Sequence, residues 1–541
     1  MSNFWYNRYF GNYLSISEMT TGEGYNPLGV VFRHIFNFYD PLFIIDLILM
    51  GFTIKTKPKS KSKINLKSNY RISKLKTKLI VLLVIIIILM GQIFITNLVF
   101  GGFTPIELYN NSTQGFVNVY GFLPLYGMEI ISRYSYENNQ DDFETSESDP
   151  PETEDKVLSD EKLIEEYSNI IIIQVESLDK KAINHSHNNK EIVPFVNSLK
   201  GESLYGNEFY AQHVNGSFDA DFSMLTGTYP VNRHYSFREN DMNEFPSLIN
   251  IMNELGYNTL AFHGNDSSFF HRNEAYPELG FDKFYSREDY SMEDREYKIE
   301  DNYLGINDYD FLKQSVDFLE ESEEPFFAYF ITVTSHTPFR FYPEEFRQEE
   351  FEDLNSQLVR DFFNSLSFVD HSLEMFFEEL EKRNLKDDTL FIIYSDHEAA
   401  IETPEYSSNI NFNLNKNVKE PEQIPLIIKH PNIENGTTNK TGSVTDIPPT
   451  ILDIIGVNEI PEEFMGYSMM NPDDNPVLFI HEIPQVLYKD QLFVNEFDEF
   501  IKIGHIEGKE REIELDRETK ELLLNKIRYS REINQERKRE D

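Results

Sequence analysis

Four apolar runs in this sequence end in side chains that can hold a cation or move a proton. Glu176 follows "IIIIQV", His263 closes "YNTLAFH", His336 follows "ITVTS", and Asp396 with His397 follows "FIIYS". Two carboxylates and an imidazole, Glu176, Asp396 and His397, suit direct coordination of one divalent ion. A hydroxyl beside such an ion becomes a nucleophile, because the metal lowers the alcohol's pKa and neutralises the oxygens of a phosphoryl group. The candidate hydroxyl is Ser217, inside "AQHVNGSFDADFSMLTGTYP". Each of these residues has an ordinary reading when taken singly. A serine beside glycine makes turns, and an acid after a strand opens a polar loop. Four such endings in one chain are harder to assign to chance.

The elements that must position them read as an α/β sandwich. "IIIIQVE", "YNTLAFHG", "PFFAYFITVTSH", "TLFIIYSDH" and "QIPLIIKHP" are short apolar runs with little alternation, as expected of strands covered on both faces of a mostly parallel sheet. Between them, "VPFVNSLKGES", "FPSLINIMNELG" and "SQLVRDFFNSLSFVDHSLEMFFEELEKRN" repeat apolar residues at three and four and read as helices. In such sheets ligands gather at the carboxyl ends of strands. "DIPPTILDIIG" reads as a strand exit and a helix with prolines in its first turn, with a structural role. His213, His234, His371, His430 and His481 belong to no motif and read as ordinary surface or core histidines, with His481, after "PVLFI", the one to revisit.

Composition sets the surroundings. The 541 residues carry a formal charge of −43 and no cysteine. The missing thiols exclude disulfides, thiolate metal sites and cysteine nucleophiles. The acidic excess argues against nucleic acid as a partner, so a phosphate-bearing substrate needs a metal ion or a local basic pocket. Lysine and arginine are concentrated in residues 55–78, which hold ten of them and no acid; the uncharged run 79–100 follows directly. That run covers the ~30 Å hydrocarbon core of a bilayer at about 1.5 Å per residue, and the basic run marks its cytoplasmic side. Residues 39–54 read as a second, weaker span. The expected organisation is a membrane region over 1–100, a juxtamembrane segment and acidic linker over 101–167, an extracellular catalytic domain over 168–490, and a charged helical tail over 491–541. Spans preceding Met1 are left open.

Taken in order, "QVES", "GSFDADF", "HGNDSSFFHR", "TVTSHTPF", "YSDH" and "TDIPPTILDIIG" resemble the lipoteichoic acid synthases, in the sulfatase-like branch of the alkaline phosphatase superfamily. The resemblance covers roughly residues 165–470, and "YDPLFIIDLIL" is similar to a late span of that family. It implies a sulfatase/alkaline-phosphatase-like fold preceded by transmembrane helices. It also implies metal ligands at Glu176, Asp396 and His397, joined by the nucleophile Ser217. Phe270, Arg272 and His336 would hold the glycerol phosphate group, with His263 nearby. An arginine can fork onto phosphate oxygens, and a histidine can bind the phosphate or move a proton. Three positions depart from the family's pattern: its nucleophile is threonine where this chain has Ser217, its "HGD"-like acid is Asn265 here, and Phe270 stands where the family usually has tryptophan.

Sister chemistries fit less well. Formylglycine sulfatases need Cys or Ser followed by x-Pro-x-Arg, whereas this chain reads "SFDAD". Two-metal relatives use an Asp-x-x-x-His pair in mid-domain, and there is no histidine between Arg272 and Ser335. One divalent ion is expected, Mn²⁺ or else Mg²⁺. The expected function is a multi-pass membrane phosphoglycerol transferase with its catalytic domain outside the cell. It would move glycerol phosphate from phosphatidylglycerol to a glycolipid or growing polyglycerolphosphate through a covalent serine intermediate. A metal-dependent phosphodiesterase or phosphatase, and an inactive scaffold of the same fold, are the alternatives.

Overall fold

A computed structural model of the chain describes residues 162–164, most of 168–539 and short helical pieces between 116 and 128. Within 168–539 the undescribed positions are 233, 300–303, 416–417, 458–459, 472–473, 482 and 497. Both expected spans, the basic run between them and most of the acidic linker lie outside the described residues. Among the described residues, no helix is long and apolar enough to cross a membrane. The chain divides into two compact units, 1–146 and 147–541, and the second carries the fold described below.

Its strands are β1 (Asn169–Val175), β2 (Ser186–His187), β3 (Lys190–Glu191), β4 (Leu204–Tyr210), β5 (Asn258–His263), β6 (Lys283–Tyr285), β7 (Phe326–Ile331), β8 (Thr389–Ser395), β9 (Phe412–Leu414), β10 (Gln423–Lys429), β11 (Gly436–Ser443), β12 (Val477–Phe479), β13 (Gln485–Tyr488), β14 (Gln491–Glu496) and β15 (Glu499–Ile506). Eight of them form the central sheet in the order β11-β4-β10-β8-β1-β7-β5-β6. Every neighbouring pair is parallel except the two that involve β10. The continuous apolar runs follow from burial on both faces. Ile170 and Ile172 of β1 enter one core while Ile171, Ile173 and Val175 enter the other, and β7 divides in the same way.

Helices cover both faces. They are α1 (Pro194–Gly201), α2 (Phe218–Thr226), α3 (Ser236–Glu239), α4 (Leu248–Glu254), α5 (Arg272–Glu278), α6 (Asp308–Glu320), α7 (Gln357–Lys382), α8 (Ile447–Ile454) and α9 (Arg517–Glu536). Residues of α1, α6 and α7 pack into one core, and those of α2, α4, α5, α8 and α9 into the other. Short polar side chains start several of them as sequence rules expect: Ser247 caps α4, Asn307 caps α6 and Ser356 caps α7. Gly227 ends α2 at φ 62, where a Cβ would lie 2.7 Å from Phe464.

The segment 491–541 differs from its expectation. It begins with β14 and β15, which join β12, β13 and β9 in a five-stranded antiparallel sheet. Its helix α9 buries Leu523, Ile527, Tyr529 and Ile533 against the main core. A high charge content hid this apolar stripe, because charged residues fill the opposite face. The end of the expected linker also docks: Leu163 N–H donates to the Ile454 carbonyl at 3.0 Å, and Ile164 is buried.

Register places the functional loops. Val175 is level with Ser395, Gln174 with Ile331, and Ile331 with His263, so β1, β5, β7 and β8 end at one rim. Tyr210, the last residue of β4, is level with Gln423, the first of β10, and delivers the loop before α2 to that rim. The loop after β7 is pinned by Asp308 at the start of α6. Its two carboxylate oxygens accept from the Val333 and Thr334 amides at 2.8 and 2.9 Å. Asp308→Ala removes both acceptors from a buried loop and should cost about 2 kcal/mol of stability. Hydrogen exchange should then show residues 333–336 losing protection before the sheet does; unchanged exchange there would count against this pin.

Candidate active site

Ser217 is the residue before the first turn of α2 and is half-buried. Asp219 organises the approach to it: one carboxylate oxygen gathers the amides of Val214 at 2.8 Å, of Asn215, and of Gly216 at 3.4 Å. Burial pushes the Asp219 carboxyl up to about 6 despite these donors. The Ser217 Oγ lies 3.1 Å from His397 Nε2. That nitrogen is 3.3 Å from Asp396 Oδ2 and 3.6 Å from Glu176 Oε1. One donor atom from each of Glu176, Asp396 and His397 lies within 4.8 Å of the other two. The sheet thus brings together four residues that sequence reasoning drew from three separate segments.

Hydrogen bonds fix which atoms point inward. His397 Nδ1 donates to the Glu398 carbonyl at 2.8 Å, so Nε2 is the ring nitrogen that faces the cluster. Asp396 Oδ1 accepts from the Ser177 and His397 amides, both at 2.8 Å. Asp396 Oδ2 is buried and accepts no hydrogen bond. Burial, then the neighbouring Asp396, hold the Glu176 carboxyl well above the usual range.

Arg272, His263 and Phe270 form the second group, while His336 lies close enough to His397 and Asp396 to feel their charges. Arg272 is buried, with Nε 2.7 Å from Asp221 Oδ2 and Nη1 3.4 Å from His263 Nε2. His263 donates through Nδ1 to the Ile331 carbonyl at 3.2 Å, which leaves Nε2 as the acceptor. Burial and the Arg272 charge keep this imidazole neutral. The Phe270 ring packs on Phe218 at 4.8 Å, and the Arg272 guanidinium carbon lies 5.5 Å from its centre. Phe270 and His271 are both left-handed, at φ 56 and 60, and such side-chain-bearing positions cost of order 1–3 kcal/mol each. His336 donates through Nδ1 to the Thr337 carbonyl at 2.7 Å, and burial lowers its pKa.

Two histidines read from the sequence as ordinary lie at the site. The His213 ring stacks on His397 at 4.3 Å, and its Nδ1 is 3.1 Å from each oxygen of Glu422. His481 is buried near Lys419, Glu422 and His213, and its burial holds the imidazole neutral. The "QH" that follows β4 was the available signal for His213, but nothing local distinguished it. His213, Glu422 and His397 form a second donor cluster. His397 has one lone pair to give, and Lys419 Nζ already sits 2.9 Å from Glu422, so the Glu176 and Asp396 cluster is the better ion site. His234, His371 and His430 are structural, held by Asn240, by the Tyr309 and Phe346 rings, and by Asp388.

Residues 168–457 match the sulfatase family, and residues 1–110 match the lipoteichoic acid synthase N-terminal domain. The lipoteichoic acid synthase of Staphylococcus saprophyticus is 27% identical over 528 residues, covering 91% of this chain and 76% of that protein. Lipoteichoic acid synthase 2 of Bacillus subtilis is 30% identical over 326 residues, covering 58% of this chain and 48% of that protein. The crystal structure of the lipoteichoic acid synthase LtaP from Listeria monocytogenes superposes with a TM-score of 0.59 at 24% identity, over 70% of this chain and 96% of that one. An alkaline phosphatase superfamily protein from Vibrio parahaemolyticus gives 0.58 at 20% identity, over 71% and 91%. These matches extend from the first residues through the sheet that carries Glu176, Ser217, Asp396 and His397: the chain belongs to the sulfatase family, in its lipoteichoic acid synthase branch.

Proposed function

We propose that this protein is a membrane-anchored phosphoglycerol transferase that uses Ser217 as its nucleophile. The observation that carries the reading is the Ser217 hydroxyl, 3.1 Å from His397 Nε2 beside two buried carboxylates. The donor is phosphatidylglycerol, and the acceptor is a glycolipid or a growing polyglycerolphosphate chain. The catalytic domain faces outward, anchored by the spans read within residues 1–100, so that it stays beside a headgroup in the outer leaflet.

The residues suit one divalent ion. Asp396 Oδ2 is buried without a donor, and Glu176 and Asp396 repel each other unless a cation lies between them. Glu176, Asp396, His397 and Ser217 would hold it, an oxygen-rich set that favours Mn²⁺ or Mg²⁺ over Zn²⁺. When bound, the ion makes the serine hydroxyl more acidic and offsets charge on the phosphoryl oxygens. The chain's own groups do the rest. Arg272 binds the phosphoryl oxygens by its guanidinium fork. Phe270 flanks the glycerol, and His263 and His336 bound the same space. In the first step a bond forms between Ser217 Oγ and phosphorus, and the phosphorus–oxygen bond to diacylglycerol breaks. The proton leaving the serine ends on the diacylglycerol hydroxyl, and in this reading His336 carries it. In the second step the acceptor alcohol takes the phosphoglycerol, and its own proton returns to Ser217.

Intact mass of the protein incubated with phosphatidylglycerol and Mn²⁺ should show one added glycerophosphoryl group, absent in Ser217→Ala. Cleavage of soluble phosphodiesters without an adduct would turn the reading to a hydrolase acting with water; bound metal with neither would leave a scaffold. Metal binding supplies a second check. Glu176 carries its proton above the usual carboxyl range, so binding must displace it and affinity should fall as pH falls. Calorimetry in two buffers of different ionisation enthalpy should register this proton release at one ion per chain. Asp396→Asn should weaken binding at least ~10-fold.

A further inference from the structure

Asp221 has no part in the steps above, yet it lies at the centre of the most deeply buried polar network at the site. Its Oδ2 accepts from Arg272 Nε and from the Tyr276 hydroxyl, both at 2.7 Å, and its Oδ1 accepts from Gln174 Nε2 at 2.8 Å. Gln174 Oε1 in turn accepts from the Tyr329 and Tyr394 hydroxyls at 2.8 and 2.7 Å. Asp221, Gln174, Tyr276, Tyr329 and Tyr394 are all fully buried. A buried ion pair adds little stability, because desolvating two charges offsets their attraction. A well-satisfied one instead fixes geometry.

The geometry it fixes joins the parts of the site. Ser217 and Asp221 are four residues apart across the start of α2, so they lie on one face of that helix. Asp221 takes the Nε edge of Arg272, and the Nη1 nitrogen turns to His263 Nε2 at 3.4 Å. Gln174 belongs to β1, two residues before Glu176. One carboxylate therefore ties the nucleophile's helix, the strand carrying a candidate metal ligand, and the arginine to one another.

We infer that Asp221 is a positioning residue: by holding Arg272 through Nε it sets the distance and direction from the guanidinium to the Ser217 hydroxyl, and so determines how tightly the phosphoryl group of the substrate is held. The inference rests on the reading of Arg272 as a phosphate ligand.

The test uses the full chain in detergent micelles, loaded with Mn²⁺. Glycerol 3-phosphate binding is measured by calorimetry, and diacylglycerol release from phosphatidylglycerol gives KM and kcat. Asp221→Asn should weaken glycerol 3-phosphate about tenfold and raise KM by a similar factor, with Mn²⁺ affinity within about twofold of the parent. Asp221→Glu should recover part of the loss. Combined with Arg272→Ala, Asp221→Asn should add nothing, because it acts only through that arginine. A fall in kcat and Mn²⁺ affinity at unchanged KM, or a loss that adds in full to that of Arg272→Ala, would overturn the inference. Arg272→Ala that binds glycerol 3-phosphate as the parent does would refute the phosphate reading itself, and is distinguishable because Asp221 is intact. If Asp221→Asn does not fold, Tyr276→Phe removes one donor from the same oxygen and keeps the ring. It should raise KM about threefold by the same argument, and an unchanged KM would overturn the proposal.

Discussion

Glu176 and Asp396 are buried side by side at the ends of adjacent parallel strands, and two carboxylates cannot both ionise there without positive charge between them. The rest of the site is arranged around that constraint. His397 is turned by the Glu398 carbonyl so that Nε2 faces the same space, and Ser217 is brought to it by the loop after β4. Arg272 lies close enough to Glu176 for its charge to be felt, but its own charge is matched by Asp221. In the function proposed above, positive charge at the carboxylates is left to a bound ion and positive charge at the substrate to the arginine.

The support beneath these residues is polar and made by backbone amides to a large extent. Asp219 holds the loop before Ser217, Asp308 holds the His336 loop, and Asp179 accepts from the Ala399 amide and the Tyr406 and Ser408 hydroxyls just behind the Asp396 strand end. Burial raises all three carboxyls to about 6. Non-glycine residues in the left-handed region, Ser177, Phe270, His271, Phe339 and Ala400, occur in the loops that leave the four strand ends. Strain of this kind persists only where the surroundings over-determine the backbone, as the Asp396 contact to the Ser177 amide and the Asp179 contact to the Ala399 amide do at Ser177 and beside Ala400.

Much of this was legible from sequence. Apolar runs without alternation gave the covered strands, and reading the polar residue after each run gave Glu176, His263, His336, Asp396 and His397 together. What escaped did so for physical reasons. Glu422 enters from the start of β10, the strand that runs against its neighbours, so a search of strand ends passes over it. His213 gains its place by stacking on His397 and by its contact with Glu422, neither of which is visible before the chain folds. Asp221 looks like an ordinary helical acid until the arginine 51 residues away folds against it. The C-terminal strands and the buried stripe of α9 were masked by surrounding charge, where period and composition pointed to a solvated helix.

The loop that leaves Asp396 and His397 returns through Glu422, and in between it lends β9 to the five-stranded sheet, where Phe412–Leu414 pairs with Gly504–Ile506. The segment flanking the metal-ligand candidates is therefore completed by residues near the end of the chain. During synthesis, β1, α2 and β8 leave the ribosome well before β15 exists. The rim that carries Asp396 and His397 cannot take its final form until residues 499–506 have been made, and a chain that stops short of residue 499 lacks the strand that fastens this loop.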